Sequence, residues 1–580
     1  MFIRTKHDAK LNRTRIQIVE SVRTGSKVRQ KILRHVGVAH NDSEIEDIKR
    51  LAGRLMEQLR IDRSPQMELF TPTEYADLQA LVRRAPRPDK LGVDLAECRE
   101  EARVSLGLRD VMGTMYDQLG WGALLGAARK SANRIVKELV MARIAQPESK
   151  RATVEALENQ AGITLNLDVV YRSMDYINTP VIDGICKTSH AAAEKLLGGP
   201  VTVLFYDCTT LAFDTEREDP AEDADGVEQD HLLAKGFSKD GKHHRAQVML
   251  ALIVTSDGLP VGYELFPGNT WEGHTLEAAL KALEGRFDVA RVTFVADAAM
   301  LSKDNQQMLQ NKGLPYILGY RMKSAPAAVK ANILSPEGRQ PWAGHGSEEA
   351  TEKGWYKVID QEGARVIVTW LPTRARNDAH KRDKAIEKLH KKLKRSRKPG
   401  SFSSRGYGRF LAFPDSGDVT LDDAKIKAAA QWDGLHAIVV HGADELEAQD
   451  VIARYHQLWE IEACFRTNKH DLKIRPIYHW SPRRVRAHIA ICYMAFCCLQ
   501  HLRKHLDLLG HPMSPARIRN ELNALQLSIL RHKGTPDRYG MPSHATVDAR
   551  RILTCVGLTW NEAPFKIPPG RTRKTGQTKA

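Results

Sequence analysis

The sequence has little that suggests a membrane. Its most apolar run, IAICYMAFCCL at 489–499, is 11 residues between His488 and Gln500, against the roughly 20 that a spanning helix needs. The N-terminus, MFIRTKHDAK, carries no apolar signal region. No membrane partner is therefore expected, and the cytoplasm is the expected location. None of the 8 cysteines (98, 186, 208, 464, 492, 497, 498, 555) forms a C-x-x-C pair. That excludes a zinc ribbon or a disulfide frame and leaves reduced core thiols. No internal repeat is visible, so a solenoid is excluded. Acid is not in excess: Lys plus Arg number 87 against 71 Asp plus Glu, a net charge of +16. Such a surplus suits a polyanion, whose neutralised phosphates release counterions; it also suits a basic surface kept for solubility.

What is present divides into segments. Residues 1–62 form a first segment: to about 40 they alternate apolar and polar in TRIQIVESV and KVRQKILRHVG, which predicts a small β-hairpin. Ser43 with Glu46 predicts a capping box opening a helix to about Arg60. A proline-containing linker spans 63–97. Residues 98–199 have helical patterns, clearest in SANRIVKELVMARIA and TSHAAAEKLLG, compatible with a DNA-binding helix-turn-helix or a helical packing module. At Pro200 the character changes to β-branched and aromatic runs, VTVLFYDCTTLAF and AQVMLALIVTSDGLPVGYELF. A helix, the strand RVTFVADAAM, a helix and the strand LPYILGY follow. Residues 200–323 thus predict an α/β fold with a mixed sheet covered by helices. Residues 324–444 are β-rich around a basic helix, KLHKKLKRSRK; 445–535 are helical, and 536–580 end in a basic tail.

Two aspartates share a context, Asp207 after VTVLFY and Asp297 after VTFVA. Both are expected at strand ends, where open α/β sheets bind ligands, and together they would suit Mg2+. Either alone is as readily a turn cap. A third acid, Glu462, lies in RYHQLWEIEACFRTNKHDLKIRP (454–476), predicted as one helix. At 100° per residue Tyr455, Lys469 and Lys473 fall within about 20° of Glu462 and Arg466 about 40° away, beside an apolar sector. Glu462 would then border a buried face and a basic stripe; a surface pair with Arg466 is the plainer alternative.

Tyr455, Glu462 and Lys469 match the Y-(2)-R-(3)-E-(6)-K signature of the DDE transposases of the insertion-sequence-four superfamily, with Leu458 at the arginine position. YDCTT and VADAAM resemble that family's two aspartate motifs, and LWEIE, CFR and IRPIYHW look like its insertion-sequence-1634 branch. The resemblance implies an RNase H-like mixed-sheet catalytic core with a β-rich insertion at 324–444, flanked by a mostly helical N-terminal region and a helical C-terminal region. It assigns Asp207, Asp297 and Glu462 to a catalytic, metal-binding triad, with Mg2+ as cofactor and Mn2+ as its substitute. Tyr455 and Lys469 map to DNA contacts, joined on the same stripe by Arg466 and Lys473; Arg454 or Arg466 would stand in for the arginine missing at 458. The implied chemistry is two-metal strand cleavage and strand transfer on double-stranded DNA. The implied partners are terminal inverted repeats and target DNA, paired by a homodimer on the nucleoid of a bacterial cell. An RNase H-like DNA nuclease without strand transfer, or an inactive DNA-binding relative acting as repressor, is the alternative.

Other signals predict less. The acidic run at 214–230 reads as a solvated loop, and Lys242-His243-His244 as solvated or DNA-facing. Trp342, Trp355, Trp370 and Trp432, in the insertion, read as core packing, with base stacking open to any one of them.

Overall fold

The computed structural model describes residues 92–568 except 162, 220–230, 239–240, 242, 287–291, 343–353, 362, 397, 399–400, 404–405 and 414–417. Before them it describes 2–8, 13–24, 27–39, 72–83 and scattered positions between 44 and 56. The chain forms two compact units, Met1–Tyr75 and Ala76–Ala580.

In the first unit, β1 (Phe2–Asp8), β2 (Arg13–Thr24) and β3 (Lys27–Ala39) make an antiparallel sheet in that order. The expected hairpin is therefore one strand short. β1, FIRTKHD, is hidden by its charges, one of which, Arg4, bonds the Gln17 side chain across the pair. Ile16, Ile18 and Ala39 close a small core with Ala52. Ser43, the expected cap, lies outside the described residues, while 44–46 are helical.

The expected linker contains a helix, Pro72–Arg83, whose residues from Ala76 on belong to the second unit; linker residues 63–71 and 84–91 lie outside the described residues. The region expected to be helical from residue 98 opens instead on a strand, β4 (Cys98–Ser105). Five helices follow: α1 (Gly107–Gln118), α2 (Lys130–Ala145), α3 (Lys150–Ala161), α4 (Leu167–Met174) and α5 (Thr179–Leu197). α5 shows why such ends are legible: the Asn178 side chain accepts from Val181 N, Pro180 opens the first turn, and Gly198 closes it at φ 74°.

The main sheet has ten strands among the described residues. β5 (Val203–Ala212), β6 (Ala234–Lys235), β7 (Ala246–Thr255) and β8 (Pro260–Pro267) are antiparallel, with β7 between β5 on one side and β6 and β8 on the other. Every residue of β7 is buried, as its apolar run Val248–Val254 requires. Helix α6 (Thr275–Glu284) leads to β9 (Thr293–Ala296), parallel to β5, and α7 (Lys303–Asn311) to β10 (Tyr316–Gly319), parallel to β9. Strand alternation sends Val203, Phe205 and Val295 to one face, and Leu204, Tyr206 and Phe294 to the other, against Leu280 and Leu309.

The insertion continues this sheet. β11 (Gln340–Trp342), β12 (Gly354–Gln361) and β13 (Ala364–Trp370) precede a long helix, α8 (Pro372–Leu393). After the short β14 (Leu411–Ala412) and β15 (Thr420–Leu421), β16 (Leu435–His441) returns between β13 and β10, antiparallel to both. α8 packs Ala385 and Leu389 on Phe410, Leu411 and Val419. The tryptophans pack too: Trp342 is buried and Trp355 stacks on Trp370 at 6.4 Å.

Two helices, α9 (Ala448–His456) and α10 (Trp459–Arg466), lead to α11 (Pro482–Leu508). By length and composition α11 is apolar enough to cross a membrane, yet 94% of its apolar window is buried inside the protein. All eight cysteines are free thiols. The helical C-terminal reading ends at Asn523. Beyond it β17 (Gln526–His532), β18 (Arg538–Pro542) and β19 (Phe565–Ile567) form a second sheet in the order β19-β18-β17-β4. The partner of β4 lies over 400 residues away, so CREEARVS gives no local strand signal. The basic tail from 569 lies outside the described residues.

Candidate active site

The parallel ladder between β5 and β9 ends on the pair Tyr206–Ala296, and that between β9 and β10 on Ala296–Leu318. The next row is Asp207, Asp297 and Gly319. Neighbouring strands lie about 4.8 Å apart, so the two carboxylates rise side by side, on the face of Phe205 and Val295. Asp297 ends its strand as expected. Asp207 does not: β5 runs on to Ala212, because residues 207–212 keep pairing with β7 after β9 has stopped. Each carboxylate is anchored at its root. Asp207 Oδ1 accepts from Cys208 N at 2.7 Å and Asp297 Oδ1 from Ala298 N at 2.6 Å. The loop after Asp297 is held by Arg321, whose Nε donates to Ala298 O at 2.9 Å, and by Asn305, whose Nδ2 donates to Met300 O at 2.9 Å.

Glu462 comes from α10, which lies over β5 and β7. The stretch predicted as one helix is broken twice. Tyr455 belongs to α9, and the chain tightens where Leu458 N donates to Tyr455 O and Glu460 N to Gln457 O. After α10, residues Thr467–Asp471 form a wide turn in which Leu472 N donates to Thr467 O and Asn468 Nδ2 donates to Cys464 O at 3.0 Å. Such π-type turns recur at functional sites. The single-wheel stripe therefore does not exist as drawn. Glu462, Arg466 and Lys473 are exposed, Lys469 is half-buried, and Tyr455 is only 8% exposed. Lys473 takes a left-handed φ of 42°. Its carbonyl accepts from Arg143 of α2, that of Asp471 from Arg519, and that of Ile474 bonds His488 of α11. The helical region at 98–199 thus braces the turn behind Glu462.

Asp207, Asp297 and Glu462 line one cavity of about 280 Å³, together with Tyr455, His436 and Arg374. Gly319 makes the row fit: a Cβ there would stand 2.5 Å from the Tyr455 hydroxyl and 2.8 Å from Ala298 N. With glycine, the phenol reaches the Asp297 loop. Burial, and then the nearby Asp297 charge, push the Tyr455 pKa up, so it stays protonated. His436 packs on Tyr455 at 5.2 Å. Burial first, then Arg374 and His456, push its pKa down to about 3, so it is neutral. Trp459, one helical turn before Glu462, lines the same cavity and is 59% exposed. Glu460 turns away toward the Gly258 turn.

Sequence spacing did not indicate Arg374, His436, Gly319 or Trp459 as site residues: the first three reach the site from elements other than the one carrying Glu462, and Trp459, on the same helix as Glu462, reads as one more apolar residue. Among the described residues no three His, Cys, Asp or Glu side chains already form a closed ligand set. The donors are nonetheless all carboxylate oxygens, two of them neighbours, which fits a hard divalent ion completed by substrate oxygens.

A family model described as the transposase DDE domain matches residues 202–498, more than half of the chain, including all three acids and the insertion. The chain belongs to the DDE transposase family. The first unit carries the second match: residues 2–65 fit the N-terminal domain of the IS1634 family transposases, which sets the branch. No curated protein matches the chain. Similar solved structures include the piggyBac transposase synaptic complex with hairpin DNA, at 9% identity over 72% of this chain and 77% of that one, TM-score 0.34. Others are the Mos1 transposase paired-end complex with left transposon end (14% identity, TM-score 0.14) and a pre-cleavage Mos1 transpososome (13%, 0.13). For both Mos1 structures the match covers 34% of this chain and 60% of that one. At these scores the fold rests on this chain's own topology.

Proposed function

We propose that the chain binds the ends of its own insertion sequence and, with divalent metal ions, cleaves those ends and joins them to target DNA. The observation that carries this is the row Asp207–Asp297–Gly319 with Glu462 over it, in one cavity. The strand order β8-β7-β5-β9-β10, three antiparallel then two parallel, supports an RNase H-like core for residues 200–323 and 445–498.

Asp207, Asp297 and Glu462 would hold Mg2+, with Mn2+ as substitute. The bound ions would supply Lewis-acid stabilisation of the in-line displacement at phosphorus. The chain's own groups do the rest. The ladder fixes the two aspartates. Protonated Tyr455, wedged over Gly319, holds the Asp297 loop and offers DNA only its cavity-facing part. Arg466 and Lys473, both exposed, and Lys469 would contact phosphates, which position the duplex without reading it. The β1–β3 unit and helices α1–α5 would add end recognition, and two copies would pair the two ends in the cytoplasm, on the nucleoid.

The test uses purified full-length chain with end-labelled DNA from the flanks of its own gene, in Mg2+ or EDTA, beside Glu462→Gln. Metal-dependent nicking at a fixed end, followed by joining to a second duplex, is expected; Glu462→Gln should bind the ends without cutting them. Cutting without joining would point to a plain nuclease. Binding without cutting in any metal would point to an inactive DNA binder. Normal cutting by Glu462→Gln would falsify the triad.

A further inference from the structure

The acidic cavity is lined by one strong base among the described residues, Arg374. It belongs neither to the strands nor to the helix that carry the acids, but to the first turn of α8 in the insertion. Arg374 is exposed and makes no hydrogen bond or ion pair among the described residues. Its charge is nevertheless felt inside the cavity, by His436 and Tyr455. Leu458, on the site side, lines the same cavity and brings no charge.

Arg374 also lines a second, larger cavity of about 550 Å³ on the insertion side, with Lys381, Lys384, Lys388, Arg409 and Tyr407. Residues 374, 381, 384 and 388 fall within an arc of about 80° on α8, along roughly 21 Å of helix axis. Arg382, by contrast, is engaged by Asp433. The Lys388 ammonium lies 5.6 Å over the Tyr407 ring, which is itself 55% exposed. Two acids share this cavity, but Asp433 is taken by Arg382 and Asp378 accepts from Gly434 N; the bases outnumber them and make an electrostatic footprint for a phosphate chain, which through Arg374 reaches the carboxylate cavity.

We propose that Arg374 grips the reacting phosphate and that the basic face of α8 behind it carries the same DNA strand away from the carboxylates. The insertion is then part of the active site. The inference rests on the transposase reading. Carboxylates repel a phosphate; a guanidinium lining the same cavity offsets that repulsion and takes two phosphate oxygens at once, which an ammonium cannot do.

The test compares full-length wild type with Arg374→Gln, Arg374→Lys, and Arg374→Gln combined with Leu458→Arg, on the same end DNA. Two quantities are read: cleavage rate at saturating DNA, and the dependence of DNA affinity on salt in EDTA. Arg374→Gln should cut about a hundredfold more slowly at saturation, and Arg374→Lys should recover only part. The double variant, which returns a guanidinium to the cavity from the turn between α9 and α10, should regain at least about tenfold of that loss; the recovery of Arg374→Lys is the check should Leu458→Arg disturb packing. In EDTA, Arg374→Gln should lower the log–log salt slope by about one and Lys384→Gln with Lys388→Gln by about two. Wild-type cutting by Arg374→Gln at saturating DNA would overturn the proposal. If wild type itself does not cut in any metal, the transposase reading has failed; the salt slope then decides the phosphate contact separately, and an unchanged slope overturns it.

Discussion

Asp207 and Asp297 are held by a ladder, Glu462 by the start of a short helix, and the two arrangements draw on different amounts of the chain. The aspartates need only two parallel strands in register and a backbone N–H at each root. Glu462 needs a tightened turn before α10, a wide turn after it, and carbonyls caught by Arg143, Arg519 and His488. A ladder sets position locally. A helix end sets it through its surroundings, so its geometry can be disturbed from far away.

The largest effect should come from the ladder side. Asp207→Asn and Asp297→Asn are each expected to slow cleavage by at least about a thousandfold, or ~4 kcal/mol, with DNA binding and melting temperature retained; gel-shift and melting curves beside the cleavage assay check this. Next is Gly319→Ala, whose methyl group must displace the Tyr455 hydroxyl and Ala298 N. It should cost ~1–3 kcal/mol of stability as overpacking does and slow cleavage, and Tyr455→Phe in the same chain should restore part of both. Arg143→Ala tests the remote brace. It loses bonds to Lys473 O and Glu148 O and should lower stability by ~1–3 kcal/mol while slowing cleavage less than Gly319→Ala; an unchanged rate would mean the brace does not reach Glu462.

The smallest effect concerns His436. The unfolded chain takes up a proton there near 6.5, the folded chain only near 3. Its stabilising contribution is complete above about 6.5 and is lost as pH falls toward 3. Denaturant melts between pH 3 and 7 should show a shallower loss of stability in His436→Phe than in wild type.

The strands around the site were legible because β5, β7 and β9 are dense in β-branched and aromatic residues. Asp297 stood where its strand stops. Asp207 was misplaced within β5, since nothing in YDCTTLA reveals that one neighbour ends while the other continues. The broken helix was invisible for a related reason: periodicity records which residues are apolar, and a tight or wide turn that keeps Ile461, Phe465 and Leu472 buried leaves that record intact. Arg374 lay beyond any spacing rule, because it reaches the site from another element.

The return of β16 between β13 and β10 has a consequence for how this chain can shorten. β10 has β9 on one side and β16 on the other. A deletion that took the whole of 324–444 would strip β10 of one row of backbone partners and bare a flat, apolar edge, which invites strand-to-strand association between copies. Loss of α8 with its loops, from the end of β13 to the start of β16, would leave that edge covered. Shorter versions of this architecture should therefore lose the helix and keep the returning strand.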